Sequence, residues 1–441
     1  MSPLPLALLV GCGAFPKLEV APGEQIATTL SVSWAGEPGE DVWVDYGLGE
    51  LTHRAPASFA DGRYNAILVG FPPLAEVTFR VGRRIGDVDE LSETRTAEVG
   101  LPPAGLPAFT PLAGGWAGEP DELILTTTIG QEGGNVLLLN PDGEIVWYIT
   151  FPSRYAPIHA EVSRDGEGFV YNYLVREDDE EAGICQVELN GAKRLCVLVP
   201  NSHHSFAQLP EGRYAMLVAD TRRVGEYLVE GDALIEVAPN GESFILYSPW
   251  DHLVWDPELQ PDMDGYVEWT HANGVFYDEV GETVLVSMRN VSTIARVDLA
   301  TAERVAVYGG VDGWGFPAPT DTFIYAHGPA LTADGQLLVF DNQDVRENDP
   351  SRVMRYALNA DEKRLEPTFR YVPGDGRSVS VLGGVYELGN GDLITSWGSA
   401  GEILRLTPQA QASWGLGSEA GFILGAAQVV PALHPRIDEL D

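Results

Sequence analysis

Basic residues are scarce. Lys and Arg total 27 against 65 Asp and Glu, a net charge of −38 over 441 residues, so no basic stripe exists to neutralise a polyanion. Nucleic acid is thereby all but excluded as a partner. No apolar run approaches the ~20 residues a membrane-spanning helix needs. The phosphate-binding pattern Gly-x-x-x-x-Gly-Lys-Ser/Thr, the zinc-protease pattern His-Glu-x-x-His and the hydrolase elbow Gly-x-Ser-x-Gly are all missing, so those classes lack their motifs. Cysteine is nearly absent, with 3 residues. What is plentiful is apolar content, 44%, and turn formers, Gly 49 and Pro 31 spread without a fixed period. That composition predicts an all-β chain of many short strands.

Leu4 to Val10 is apolar and ends at Gly11-Cys12; Leu9-Val10-Gly11-Cys12 resembles a bacterial lipobox, whose cysteine carries lipid. Residues 1–17 are therefore expected to be a lipoprotein signal and tether, and the protein to be exported, periplasmic or anchored to the outer membrane. With Cys12 so assigned, Cys185 and Cys196 remain. They flank Asn190-Gly191 symmetrically, and Asn-Gly is a strong two-residue hairpin signal. The reading is a cross-strand disulfide at a hydrogen-bonded pair, Cα atoms ~5.5 Å apart.

Residues 18–100 alternate apolar and polar positions between turns, as in Leu30-Ser-Val-Ser-Trp34, Val42-Trp-Val-Asp-Tyr46, Tyr64-Asn-Ala-Ile-Leu68 and Val77-Thr-Phe-Arg-Val81. This reads as a small β-sandwich, and the Trp strand with Phe71-Pro72-Pro73-Leu74 resembles a fibronectin type III-like module. Residues 101–120, rich in Pro, Gly and Ala, read as a linker. From 121 to 435 a repeat is visible. His204, His271 and His327 each precede an acidic residue by seven positions (Glu211, Asp278, Asp334); His159 nearly fits, and Gly383 holds the phase before Asn390-Gly391. The intervals 45, 67, 56 and 56 suit four-stranded blades. Outer hairpins at Val136–Tyr148, Ile184–Val197, Leu234–Tyr247, Ile294–Tyr308, Val353–Tyr371 and Ile403–Leu416 predict a six-bladed β-propeller. Its first blade lacks an inner strand, which residues 421–430 are expected to supply.

Inner strands at one phase point to a common axis, so the histidines converge. A hairpin centred on Val280 sets Arg289 across from His271, with Asn273 and Ser287 beside them. The same folding puts Asp220 near His204, and Asp341 or Asn342 near His327. Three or four imidazoles suit a transition metal, but Arg289 facing them argues against one, and neither metal nor cofactor is expected. Imidazole, guanidinium and amide donors instead make a cup for a tetrahedral oxyanion, in which one imidazole can act as a nucleophile.

Ser202-His-His-Ser-Phe-Ala-Gln-Leu-Pro-Glu-Gly-Arg-Tyr214, Trp269-Thr-His-Ala-Asn-Gly-Val-Phe-Tyr-Asp278, Val286-Ser-Met-Arg-Asn290, and His327 with Leu338-Val-Phe-Asp-Asn342 together resemble the bacterial arylsulfotransferases. The resemblance covers most of Leu123 to Pro435. It implies transfer of a sulfuryl group from a phenolic sulfate to a phenol through a sulfohistidine, without a nucleotide donor. On this match His327 is the nucleophile, and His204, His271, Asn273 and Arg289 hold the transferring oxygens, with His204 or His271 moving the phenolic proton. His203, His159 and Asn342 join the substrate-binding candidates, as does Trp397 as an aryl platform. Ser205, Gly274 and Gly425 depart from the family's pattern, Gly425 where arginine is common. The rival readings are a non-catalytic propeller binding an anionic or aromatic ligand and a metal-dependent propeller hydrolase.

Overall fold

The computed structural model describes residues 15–175, 181–255, 266–310, 312–347 and 349–440. Cys12 and most of the 1–17 segment lie outside the described residues. Short β-branched and aromatic stretches cut by Gly and Pro turns yield strands and a few single 3₁₀ turns, with no α-helix among the described residues. The chain divides into two units, one running to Leu101 and including the tail from His434, the other Pro102–Leu433.

The first unit has two sheets. Glu19–Pro22, Leu30–Ala35, Arg63–Leu68 and Ser58–Ala60 form one; His53–Pro56, Asp41–Gly47, Glu76–Ile85 and Val88–Leu91 form the other, with Arg95–Glu98 also on Glu76–Ile85. Alternation explains the shared core: Leu30, Val32 and Trp34 from the first meet Val44, Tyr46, Phe79 and Val81 from the second. The tail, expected to end the propeller at 435, belongs to this unit from His434 onward. Its His434 Nδ1 meets the Tyr46 hydroxyl at 2.9 Å, and the Arg54 N–H donates to the Pro435 carbonyl at 3.0 Å.

Among the described residues the second unit consists of six sheets, an arrangement consistent with a β-propeller. Five follow the chain as four antiparallel strands in sequence order from an inner to an outer edge, beginning at Tyr155–Val162, Ser202–Gln208, Ala272–Asp278, Ala326–Leu331 and Gly384–Glu387. The remaining sheet takes Leu123–Gly130, Gly133–Leu139 and Ile145–Pro152 from the start of the unit and Ile423–Val430 from its end. The 101–120 segment is not a plain linker: Phe109–Gly114 is a strand on the outer edge of the last sheet, paired with Ala412–Ser418.

A closed series of hydrogen bonds joins each sheet to the next. Thr127 Oγ1 donates to the Ile158 carbonyl at 2.7 Å, Asn172 Nδ2 to His204 at 3.2 Å, Asn273 Nδ2 to Ala326 at 3.0 Å and Asn342 Nδ2 to Leu382 at 3.0 Å. Asp232 makes the remaining forward link by accepting from the Ala272 N–H at 2.6 Å. Ser396 Oγ closes the series on the Gly425 carbonyl.

Cys185 and Cys196 are register partners and are disulfide-bonded, with Cα atoms 4.1 Å apart rather than the wider spacing of a hydrogen-bonded pair. The turn is the reason. Glu188 and Ala192 close a three-residue loop, and a bulge after Gln186 shifts the ladder by one, which restores the Cys pairing but changes its type.

Gly425 has no room for a side chain. A Cβ there would stand 2.0 Å from Thr127 Oγ1 and 2.3 Å from the Ile158 carbonyl oxygen, the two atoms of the first link. Gly425→Ala is therefore expected to destabilise the second unit by about 1–3 kcal/mol, read as a lowered melting temperature; an unchanged melting curve would show that this link tolerates displacement.

Candidate active site

The histidines are delivered by irregular strand starts. His204 and His271 adopt left-handed backbone, φ 53° and 47°, as does Tyr325 at 56° just before His327. Bulges interrupt the inner strands at the same places, between His203 and Phe206, Ala272 and Gly274, and His327 and Ala330. Such strain and re-aiming are typical of functional sites. The inter-sheet links grip the backbone beside each ring, at the His204 carbonyl, the Ala272 N–H and the Ala326 carbonyl.

The rings gather as expected. His204 lies 4.9 Å from His271 and 6.4 Å from His327, centroid to centroid. The Arg289 N–H donates to the His271 carbonyl at 3.0 Å, so these residues do face each other at the open end of their hairpin. The hairpin turn is centred half a residue beyond Val280, and the bulge before Gly274 restores the pairing. The Arg289 guanidinium lies 4.6 Å from the Tyr325 ring centroid, donates to Asn290 and has no carboxylate within ion-pair distance among the described residues.

His327 is buried, 3% exposed, and its Nδ1 is 2.7 Å from Asn342 Oδ1. The Asn342 amide nitrogen donates to the Val379 and Leu382 carbonyls, which fixes the amide orientation. Its oxygen must therefore accept, so His327 carries its proton on Nδ1 and presents the lone pair at Nε2. Burial first, then the neighbouring His271 and Arg289, hold the His327 pKa down to about 3, although Asn342 and the Tyr325 backbone pull the other way. His204 is also held well below its ordinary value, by burial foremost and by His203, His271, His327 and Arg289 after it. Both rings are thus neutral near pH 7, as a nucleophile or a base requires.

The other expected residues take varied posts. Asn273 is buried; its oxygen accepts from Ser287 at 2.5 Å, and its amide nitrogen carries one inter-sheet link and has a second hydrogen. His159 lines a narrow cavity of about 30 Å³ with His204, Asn273 and His327, room for a water or two, and its Nε2 pairs with Glu161 at 3.2 Å. His203 does not face a substrate: Nε2 meets Asp232 at 3.0 Å and Nδ1 meets His204 Nδ1 at 2.9 Å, so both nitrogens are engaged within the protein. Trp397 is no aryl platform. It is 0% exposed, packed edge-on against Phe340 and Tyr371, with its indole N–H on Thr395.

Asp220 is not the acid near His204; it is paired with Arg222. Asp232 is, because the long hairpin turning at Gly225-Glu226 sets Asp232 opposite Ala219, one strand further out. Folding the sequence about Gly225-Glu226 identifies it. Asp341 is buried against Arg352, leaving Asn342 as the partner of His327. Glu268, unmarked in the sequence, binds His271 Nδ1 at 2.5 Å. Asn172 was equally unmarked; no repeat phase pointed to it.

Residues 118–405 match the family model described as Arylsulfotransferase (ASST). A search of curated proteins gives no match. Among solved structures, a protein of unknown function from Bacteroides caccae is 13% identical, with 71% of this chain and 99% of that one covered and a TM-score of 0.47. Virginiamycin B lyase from Staphylococcus aureus is 10% identical, with coverage of 87% and 99% and a TM-score of 0.34. Apo AztD from Citrobacter koseri is 13% identical, with coverage of 94% and 97% and a TM-score of 0.30.

The two depressed imidazoles have a consequence for stability. Unfolded, each binds a proton near pH 6.5; folded, His327 resists until about pH 3 and His204 also resists below its ordinary value. The unfolded chain therefore holds more protons in that window, and stability is lost as pH falls from about 6.5. His327→Gln should flatten the fall in melting temperature between about pH 6.5 and pH 4 relative to the wild type; parallel curves would show that His327 titrates normally.

Proposed function

As the chain belongs to the arylsulfotransferase family, we propose that it transfers a sulfuryl group from a phenolic sulfate ester to a phenolic acceptor through a sulfohistidine on His327. The observation that carries this reading is the His327 tautomer, a neutral imidazole with its Nε2 lone pair free, in a cluster that contains a guanidinium with no carboxylate at ion-pair distance among the described residues. In the first half-reaction His327 Nε2 bonds to sulfur, the S–O bond to the aryl group breaks, and the electron pair leaves on the phenolate oxygen, which takes a proton. In the second, a phenol gives up its proton and its oxygen takes the sulfuryl group, returning the pair to Nε2. The sulfonate oxygens are held by Arg289, His271 and Asn273, whose fixed dipoles and charge stabilise the transition state. The rings of His204 and His271 are near enough to move the proton.

The architecture is read as six blades, one per sheet, each bound to the next by the buried links and closed by Ile423–Val430 on Leu123–Gly130. The first unit is read as a fibronectin type III-like sandwich. The Cys185–Cys196 disulfide supports export to an oxidising compartment, with Cys12 as the proposed lipid anchor.

The test is incubation with a chromogenic aryl sulfate and a phenol. Wild type should transfer; His327→Ala should abolish both transfer and burst release of phenol. Arg289→Ala should lower turnover ~100-fold or more, and Arg289→Lys should rescue poorly because a point charge lacks the guanidinium fork. Mass spectrometry of protein quenched with donor alone should find the sulfuryl group on the His327 peptide. Its appearance on the His203-His204 or His271 peptide would reassign the nucleophile, and binding without uptake would favour a non-catalytic propeller.

A further inference from the structure

Behind His204 stands a chain of polar contacts that leads out of the cluster. Asp232 is 3% exposed and ionised: it binds the Thr270 hydroxyl at 2.5 Å and the Ala272 N–H at 2.6 Å through Oδ2, and its other oxygen meets His203 Nε2 at 3.0 Å. A carboxylate only accepts, so His203 carries a proton on Nε2. The 2.9 Å contact between the two Nδ1 atoms holds one proton, on His204 when His203 is a neutral ring and on His203 when that ring is an imidazolium paired with Asp232. Only the first arrangement leaves His204 protonated at Nδ1 and bare at Nε2, the tautomer that Asn342 imposes on His327 and the one a proton acceptor at Nε2 requires.

We propose that Asp232 is a positioning residue which, through His203, fixes His204 as the Nδ1–H tautomer and balances the charge His204 gains as proton carrier of the transfer. This rests on the sulfuryl-transfer reading above. When a phenol attacks, its proton moves to His204 Nε2, making an imidazolium whose Nδ1–H still points at His203 and, behind it, at the Asp232 carboxylate. His204 then passes that proton to solvent and returns to its neutral form, and the phenolate oxygen released from the donor takes its proton from water. Burial and the neighbouring imidazoles and Arg289 disfavour the charged form, and in this proposal the buried carboxylate two links away offsets part of that cost. Glu268 faces His271 in a comparable pair, but that carboxylate is 46% exposed and solvent-screened, whereas the Asp232 carboxylate is 4% exposed.

The experiment uses Asp232→Asn. Because Thr270 and Ala272 both donate to Oδ2, the new amide keeps its oxygen toward them and turns its NH₂ to His203. His203 must then accept at Nε2 and donate from Nδ1, which forces the His204 proton to Nε2. Ring-nitrogen NMR of histidine-labelled protein should show His204 Nε2 unprotonated in the wild type and protonated in the variant. With one nitrophenyl sulfate as donor, turnover should fall ~100-fold or more for weakly acidic acceptor phenols, and far less for an electron-poor phenol that arrives already ionised. If the variant is too unstable to purify, His203→Gln breaks the same chain and should show the same acceptor dependence. Unchanged tautomers, an equal loss with every acceptor, or acceptor dependence in Glu268→Gln instead, would overturn the proposal. If no donor sulfates the wild type, the transfer reading fails and the proton-carrying role falls with it, while the spectra still decide the tautomer.

Discussion

The second unit depends on the closed series of six hydrogen bonds that link neighbouring sheets at their inner edges. Each sheet satisfies its own backbone internally, and its faces are closed by apolar packing, which is not directional. What fixes one sheet against the next at the inner edge is a buried hydroxyl, amide or carboxylate reaching one backbone group of its neighbour, six times over, the last returning to the first. A buried polar group left unmade costs more than a made one contributes, so the series favours being complete. The backbone atoms it grips lie at or beside the histidines, and left-handed residues such as His204 and His271 persist because the surrounding bonds over-determine them.

The acidity of the whole chain and the chemistry of its centre are separate matters. A net charge of −38 repels anions at long range, yet the cluster exposes a guanidinium stacked on Tyr325 with no carboxylate partner among the described residues. Salt screens the long-range term over about 8–10 Å, whereas the guanidinium acts at contact in a water-poor environment where its field is strong. The same burial keeps His204 and His327 neutral. Neutral rings retain lone pairs, so desolvation supplies the nucleophile and Arg289 the attraction.

Much of this was readable in the chain. Repeat phase identified His204, His271 and His327, and hairpin arithmetic put Arg289 opposite His271. That arithmetic worked because two departures cancel: the turn lies half a residue past Val280, and one bulge takes up the difference. At Cys185 and Cys196 a similar cancellation kept the partners while changing their spacing. Bulges follow from inter-sheet packing, which periodicity does not encode, so the strand pairs were legible and the strand irregularities were not. Trp397 shows the converse limit. Its phase suggested proximity to the channel, but whether an aromatic ring turns outward or into the core is decided by the volume left between Phe340 and Tyr371. Folding the nearest hairpin points to Asp220, whereas the acid that reaches His203 comes from the next strand out.

The six links are not equivalent, and the difference bears on how fold and chemistry are joined. Thr127 and Ser396 only donate a hydroxyl to a carbonyl of the next sheet. Asn342 and Asp232 bind the next sheet and also address an imidazole: Asn342 holds Leu382 with its nitrogen and His327 with its oxygen, and Asp232 holds Ala272 with one oxygen and His203 with the other. A shift of one sheet against its neighbour would therefore disturb the scaffold bond and the ring's proton position together. The amide and the carboxylate each spend one end on geometry, which leaves the other end oriented for the ring. It follows that stability and tautomer are coupled at these two positions through a single side chain, while at Thr127 and Ser396 stability can change with the imidazoles left as they are.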